Sequence, residues 1–336
     1  MSNIYGILLI GCGHIGEEHL QDIYCRDNIR VIGTVDTDIC RAAAFARRFG
    51  AADYGTDYRP FLQRADVDIV IIATYTETHL PILQDCLAAN KHVLCEKPIT
   101  GNLKDGQTFV EAVKAAKTKV LVAHILRHNA SYLTIRDLIR NGAIGELRLT
   151  RMTQNHHALD WPRYLRLLED CSPTVDCGVH YYDLIQWITG AKIVEVTGMG
   201  TRTQDDVPRD NHTMVTFRLD NGCSGFYEVG WGESIRSCNI KEFIGTTGRI
   251  TLKMKMGRED DFEEGDLITV YHSDTHTYES INLRVPYKDM NAQMQTLIRM
   301  IETGEDGNPT IDEVWQSFRV AIAAAESVET GKTVHL

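Results

Sequence analysis

Gly11-Cys12-Gly13-His14-Ile15-Gly16 follows the apolar run Ile7 to Ile10 and opens a helical stretch. In that setting Gly11 permits a tight turn, Gly13 lets the backbone approach a pyrophosphate, and Gly16 lets helix and strand pack closely. The helix start offers unpaired N–H groups to the anion. Asp36 ends the next strand-like run, 20 residues after Gly16, where a carboxylate can accept both adenosine ribose hydroxyls. The pattern predicts NAD as cofactor and disfavours NADP. A 2′-phosphate would meet the charge of Asp36, the neighbouring Thr37-Asp38 supplies no arginine, and Arg41 is the nearest candidate. The plainer role for Asp36 is to cap the helix that begins near Asp38.

Two further segments leave strands at the edge where open α/β sheets bind ligands. Ala73-Thr74-Tyr75-Thr76 leads into a helix carrying His79, a place for contacts to the nicotinamide ribose, although Thr76 can also cap that helix. Glu96-Lys97-Pro98 follows the strand His92 to Cys95. An ammonium at Lys97 can hydrogen-bond a substrate hydroxyl and stabilise alkoxide character on its oxygen. Further on, the spacing of Asp176, His180, Asp183 and Trp187 puts them on one helical face, with Ile185 and Ile188 on the buried side. A histidine between carboxylates exchanges protons near neutral pH, and the carboxylate orients its ring.

Elements of two kinds must position these groups. Strands at Ile4 to Ile10, Arg30 to Val35, Ile69 to Ala73, His92 to Cys95 and Val120 to His124 alternate with helices starting near His14, Asp38, Glu77 and Leu103. That grammar predicts an N-terminal Rossmann domain over residues 1–124. Residues 125–336 read as an α+β domain with a mostly antiparallel sheet for substrate binding and oligomerisation. It has helices at Tyr132 to Asn141 and Thr174 to Thr189, strands from Ile193 to about Leu283, and a hairpin turn at Asn221-Gly222. Thr310 and Glu313 have capping-box spacing before a last helix with a stripe of Val314, Phe318, Ala321, Ile322, Ala325 and Val328, stopped at Gly331.

Composition narrows the class. The chain has 336 residues, with 46 acidic against 35 basic side chains and a net charge of −11, and no basic stripe, so neither nucleic acid nor anionic membrane is an expected partner. Ile7 to Ile10 is too short for a signal-peptide core, and no apolar run reaches membrane-helix length. Nine cysteines without a Cys-x-x-Cys pair suit reduced thiols and a cytoplasmic address.

With Arg127, Asn129-Ala130-Ser131-Tyr132 and Ile144-Gly145-Glu146 added in order, these motifs resemble the Gfo/Idh/MocA oxidoreductase family along nearly the whole chain. The resemblance implies that Lys97, Asp176 and His180 are the catalytic lysine, aspartate and histidine, and that Arg127, the His156-His157 region and Asp183 line the substrate pocket. The sequence departs from the family pattern at Tyr75, in place of a usual proline, at Ala130, where proline usually follows asparagine, and at Cys171-Ser172, in place of a glycine pair. The expected reaction is NAD-dependent oxidation of a secondary hydroxyl on a sugar, inositol or related polyol. His180 would take the proton, Lys97 would hold the oxygen, and Asp176 would orient both. A non-catalytic NAD-responsive regulator and an NAD-dependent glycosidase are the alternatives.

No metal is expected. His156, His157, Asp160, Asp176 and His180 form a site on paper only, because adjacent strand histidines face opposite ways. Trp161, Tyr164, Tyr181, Tyr182 and Trp187 read equally as a platform for a sugar ring or as aromatic core. The run Glu259-Asp260-Asp261, with Glu263 and Glu264, reads as a solvated turn. A homodimer or homotetramer is expected, because one face of the second sheet needs a cover.

Overall fold

Tyr5 to Ile10 and Ile69 to Ile72 are buried at every position, as in strands covered on both faces. They pair side by side in the first of two sheets of the computed structural model, which describes residues 3–255 and 265–336. That part of the chain runs β1 (Tyr5–Ile10), α1 (His14–Ile23), β2 (Ile29–Val35), α2 (Ile39–Phe49), β3 (Asp53–Gly55), α3 (Arg59–Leu62), β4 (Ile69–Ile72), α4 (His79–Ala88), β5 (His92–Cys95), α5 (Leu103–Ala115) and β6 (Val120–Val122). The strands are parallel, in the order β3-β2-β1-β4-β5-β6. This is the expected Rossmann arrangement with one strand added. Asp53 to Gly55 carries no apolar alternation and is recruited by pairing with Gly33 to Val35.

The chain continues through α6 (Ala130–Arg140), β7 (Leu147–His157), α7 (Trp161–Asp170), α8 (Pro173–Asp176), α9 (Gly178–Thr189), β8 (Ile193–Thr201), β9 (His212–Leu219), β10 (Ser224–Gly232), β11 (Cys238–Gly245), β12 (Gly248–Lys253), β13 (Asp266–His272), β14 (Thr277–Leu283), α10 (Met290–Thr303), α11 (Ile311–Thr330) and β15 (Val334–His335). Its sheet has the order β14-β13-β12-β11-β7-β10-β9-β8-β15 and is antiparallel except where β10 pairs with β7. Gly222, with φ +85°, makes the expected turn between β9 and β10. The capping box also forms: Thr310 N donates to Glu313 Oε2 at 2.9 Å.

By contacts the chain divides into Met1–Ile125 with Lys288–Trp315, and Leu126–Tyr287 with Gln316–Leu336. A single cut after residue 124 therefore leaves out a return of the chain. Met294, Leu297, Ile298 and Met300 of α10 join the cluster of Ile7, Leu9, Leu20 and Leu121. Burying each is worth about 1.5–3 kcal/mol, which ties α10 to the first unit despite its distance in sequence.

The stretch Thr174 to Thr189 is broken at Cys177, where His180 N bonds Cys177 O at 3.2 Å across a three-residue step. α9 is buried almost all round. Its polar face is accordingly narrower than the spacing suggests: Asp183 and Trp187 are buried, and Asp176 and His180 are half-buried. In α11, Val314, Phe318 and Ala321 are buried as expected, whereas Ile322, Ala325 and Val328 are half-buried. The acidic run from Glu259 to Glu264 lies outside the described residues. Among the described residues no helix is long and apolar enough to cross a membrane.

Candidate active site

The three turn glycines have separable reasons. Gly11 has φ +99°, and a Cβ there would lie 2.3 Å from Ala73 O. A Cβ on Gly16 would lie 2.1 Å from Gly11 O, so both positions are closed by the protein's own backbone. A Cβ on Gly13 meets nothing within 4 Å. The fold therefore leaves this position open, with room for a pyrophosphate to approach the backbone. His14 is exposed and its Nε2 pairs with Glu18 Oε1 at 3.3 Å; Ile15 is half-buried.

Asp36 joins this turn directly. Its Oδ2 accepts from Cys12 N at 2.9 Å, and its Oδ1 accepts from Asp38 N at 2.9 Å. The cap of α2 is Asp38, which accepts from Cys40 N, so the simple capping role for Asp36 is set aside. Arg41 Nη2 lies 3.0 Å from Asp36 Oδ1. Thr37, next in the loop, is exposed. Together the open glycine, the carboxylate and the free start of α1 fit a dinucleotide.

At the carboxyl end of β4, Ala73 is buried, Thr74 receives the Thr78 hydroxyl at 2.7 Å, and Tyr75 is half exposed. His79, expected beside the nicotinamide ribose, is 1% exposed. Its Nδ1 lies 2.9 Å from Pro98 O and its Nε2 3.1 Å from Thr74 O. At the end of β5, Glu96 is buried and its Oε1 meets His19 Nε2 at 2.7 Å. Its Oε2 accepts from Lys97 N at 3.2 Å. Burial opposes the charge of Glu96, but the His19 hydrogen bond and the charges of His19, Lys97 and Lys288 outweigh it and hold the carboxyl below the usual carboxylate range. Lys97 itself is half-buried and the Lys97-Pro98 bond is cis. The motif reading did not include His19; the one cue is its place among Gly16, Leu20 and Ile23 on the buried side of α1.

In the second unit, Arg127 and Asp183 meet as a bidentate pair, Nε to Oδ2 at 2.7 Å and Nη2 to Oδ1 at 2.8 Å. They are 2% and 1% exposed, so each is engaged by the other instead of lining an open surface. Asn129 caps α6 by accepting from Ser131 N and Tyr132 N, a start that needs no proline. His156 is half-buried with its ring 6.2 Å from Tyr164, while His157 is exposed. Tyr181 and Tyr182 are fully buried, and Tyr181 stacks on Tyr227 at 4.9 Å, which resolves these two as core. Among the described residues no group of three His, Cys, Asp or Glu side chains is placed to hold a metal ion.

Residues 5–124 match the Gfo/Idh/MocA model described as oxidoreductase family, NAD-binding Rossmann fold, and residues 132–251 match the Gfo/Idh/MocA C-terminal domain. Inositol 2-dehydrogenase 2 of Saccharopolyspora erythraea is 27% identical over 334 residues, covering 97% of this chain and 93% of that one. Inositol 2-dehydrogenase of Acidothermus cellulolyticus is 30% identical over 254 residues, 73% of this chain and 71% of that one. A scyllo-inositol dehydrogenase of Lactobacillus casei, solved with bound NAD(H) and scyllo-inositol, superposes with a TM-score of 0.80 over 99% of each chain; at 20% identity it shows the shared fold.

Proposed function

We propose that this chain, which belongs to the Gfo/Idh/MocA oxidoreductase family, oxidises a secondary hydroxyl of an inositol or a related sugar or polyol with NAD. The observation that carries the reading is the position of Lys97, which leaves the carboxyl end of β5 in the same sheet whose β1 runs into the open glycine turn. Bound NAD supplies the hydride acceptor. Lys97 Nζ donates a hydrogen bond to the substrate oxygen and stabilises the charge it gains. His180 takes the hydroxyl proton on its imidazole, and Asp176 holds the orientation of that ring. Arg127 and Asp183 serve from within the core by fixing α9, and the half-buried His156 ring contributes to substrate contact.

NADH formation across inositols, aldoses, amino sugars and sugar acids, run beside the same panel with NADP, tests this. Turnover of at least one polyol with NAD is expected, and Lys97→Ala or His180→Ala should lower kcat/KM by about 100-fold or more while NAD affinity holds. Tight NAD binding without turnover of any member overturns it in favour of a regulator. Release of a leaving group without net NADH points to a glycosidase.

We infer also that the chain self-associates through the second sheet. Met199, Met214, Ile240 and Leu267 are 62%, 42%, 40% and 37% exposed. Pairing puts them in one cross-strand row, Met199 beside Met214, then Glu228, Thr153, Ile240, Lys253 and Leu267. Exposed apolar side chains grouped along one face of a sheet favour a partner subunit. Nine free cysteines support a reducing, cytoplasmic setting.

A further inference from the structure

Lys97 is flanked on both sides by groups that buried imidazoles hold. On its amino side, Glu96 links His19 Nε2 at 2.7 Å to the Lys97 backbone N at 3.2 Å through its two carboxylate oxygens. On its carboxyl side, Pro98 O lies 2.9 Å from His79 Nδ1, and the other nitrogen of that ring reaches Thr74 O at 3.1 Å. Both histidines are 1% exposed. They come from different helices, α1 and α4, whose buried faces pack them in place.

From this we propose that His19 and His79 are positioning residues which brace Lys97 from its two ends, and that the brace depends on one named nitrogen in each ring. It rests on the reading of Lys97 as a catalytic residue. A lysine following a strand has a long, rotatable side chain, and only its backbone can be fixed by the sheet. A reacting ammonium must be held to a fraction of an ångström, and groups behind it usually do the holding. Carbonyl oxygens only accept and a neutral imidazole carries one N–H, so the brace assigns the proton of His79 to Nδ1, the shorter contact, where it holds Pro98 O, and Nε2 then approaches Thr74 O without donating. Glu96 is held below the ordinary carboxylate range and accepts, so Nε2 of His19 must carry one to hold Glu96.

The two rings therefore predict opposite rescue patterns. The Asn amide ends near where Nδ1 lies, and the Gln amide reaches near where Nε2 lies. His19→Gln and His79→Asn should keep the brace, whereas His19→Asn and His79→Gln should lose it. Two readouts are taken on the full chain: steady-state kcat with the best polyol of the panel, and hydrogen–deuterium exchange of residues 96–101 without ligand. His19→Asn and His79→Gln are expected to lower kcat about 10- to 100-fold and to speed exchange in that segment. His19→Gln and His79→Asn are expected to stay within about threefold of the parent.

If all four variants behave alike in exchange, whether protected or loosened, atom-specific bracing is overturned. The same holds if the pattern is reversed. Lys97→Ala separates this from the underlying reading: undiminished turnover in that variant ends the catalytic role of Lys97, while exchange in the histidine variants still decides whether the brace exists. A dead Lys97→Ala beside fully active His19→Asn and His79→Gln overturns the brace and leaves the reaction intact.

Discussion

Arg127 and Asp183 bind each other through two parallel hydrogen bonds of 2.7 and 2.8 Å, with both side chains 2% exposed. Ser317 Oγ adds a third contact to Asp183 Oδ1 at 3.0 Å. Removing one partner leaves an uncompensated charge in the core, which typically costs about 3–5 kcal/mol. Asp183→Ala should therefore lose most of the chain's stability in denaturant titrations. A double replacement, Arg127→Met with Asp183→Leu, should recover much of it. Equal stability of parent and single variant would remove the structural role.

The glycines separate folding from binding. Gly13→Ala adds a methyl into open space, so its denaturation midpoint should match the parent while NAD affinity, read by calorimetry, falls about tenfold or more. Gly16→Ala pushes a methyl to 2.1 Å from Gly11 O and should lower the midpoint itself. If Gly13→Ala binds NAD normally, the pyrophosphate does not approach at this position.

Lys241 is fully buried on β11, with Nζ 2.7 Å from Thr153 O, 2.6 Å from Asn239 Oδ1, and 4.5 Å above the Tyr181 ring. Burial pushes its ammonium down from 10.5 to about 7. Between these values the unfolded chain holds a proton that the folded chain has released, so stability from this group rises with pH across about 7 to 10 and is lowest, and constant, below that window. Lys241→Met should flatten the slope. Relative to the parent, it should gain a few kcal/mol as pH falls from 10 to 6, measured by urea unfolding at each pH. Parallel pH profiles for the two proteins would refute the shift.

Self-association through the second sheet predicts that Met199→Glu with Ile240→Glu yields a smaller species in sedimentation while far-ultraviolet dichroism is unchanged. An unaltered mass would place the interface elsewhere.

The glycine turn, Asp36 and Glu96-Lys97-Pro98 were legible because each is a contiguous strand-to-loop segment whose geometry depends on near neighbours. His19 was not legible as a brace. It stands 77 residues from Glu96, and a histidine on the buried side of a helix looks the same whether or not a carboxylate faces it. The same limit applied to α10. No helix is placed there from the sequence alone, and only packing against Ile7, Leu9 and Leu20 decides which unit owns it.

By itself, then, the order of residues determined the two kinds of sheet, the dinucleotide turn and the family, because periodicity and short-range turn chemistry are written locally. Only the tertiary structure decided that His79 turns to two carbonyls, that Arg127 and Asp183 are engaged by each other, and that the Lys241 ammonium lies over the Tyr181 ring. Most of those pairings join segments well separated in the chain, and burial selects them by demanding that each enclosed polar group find a partner.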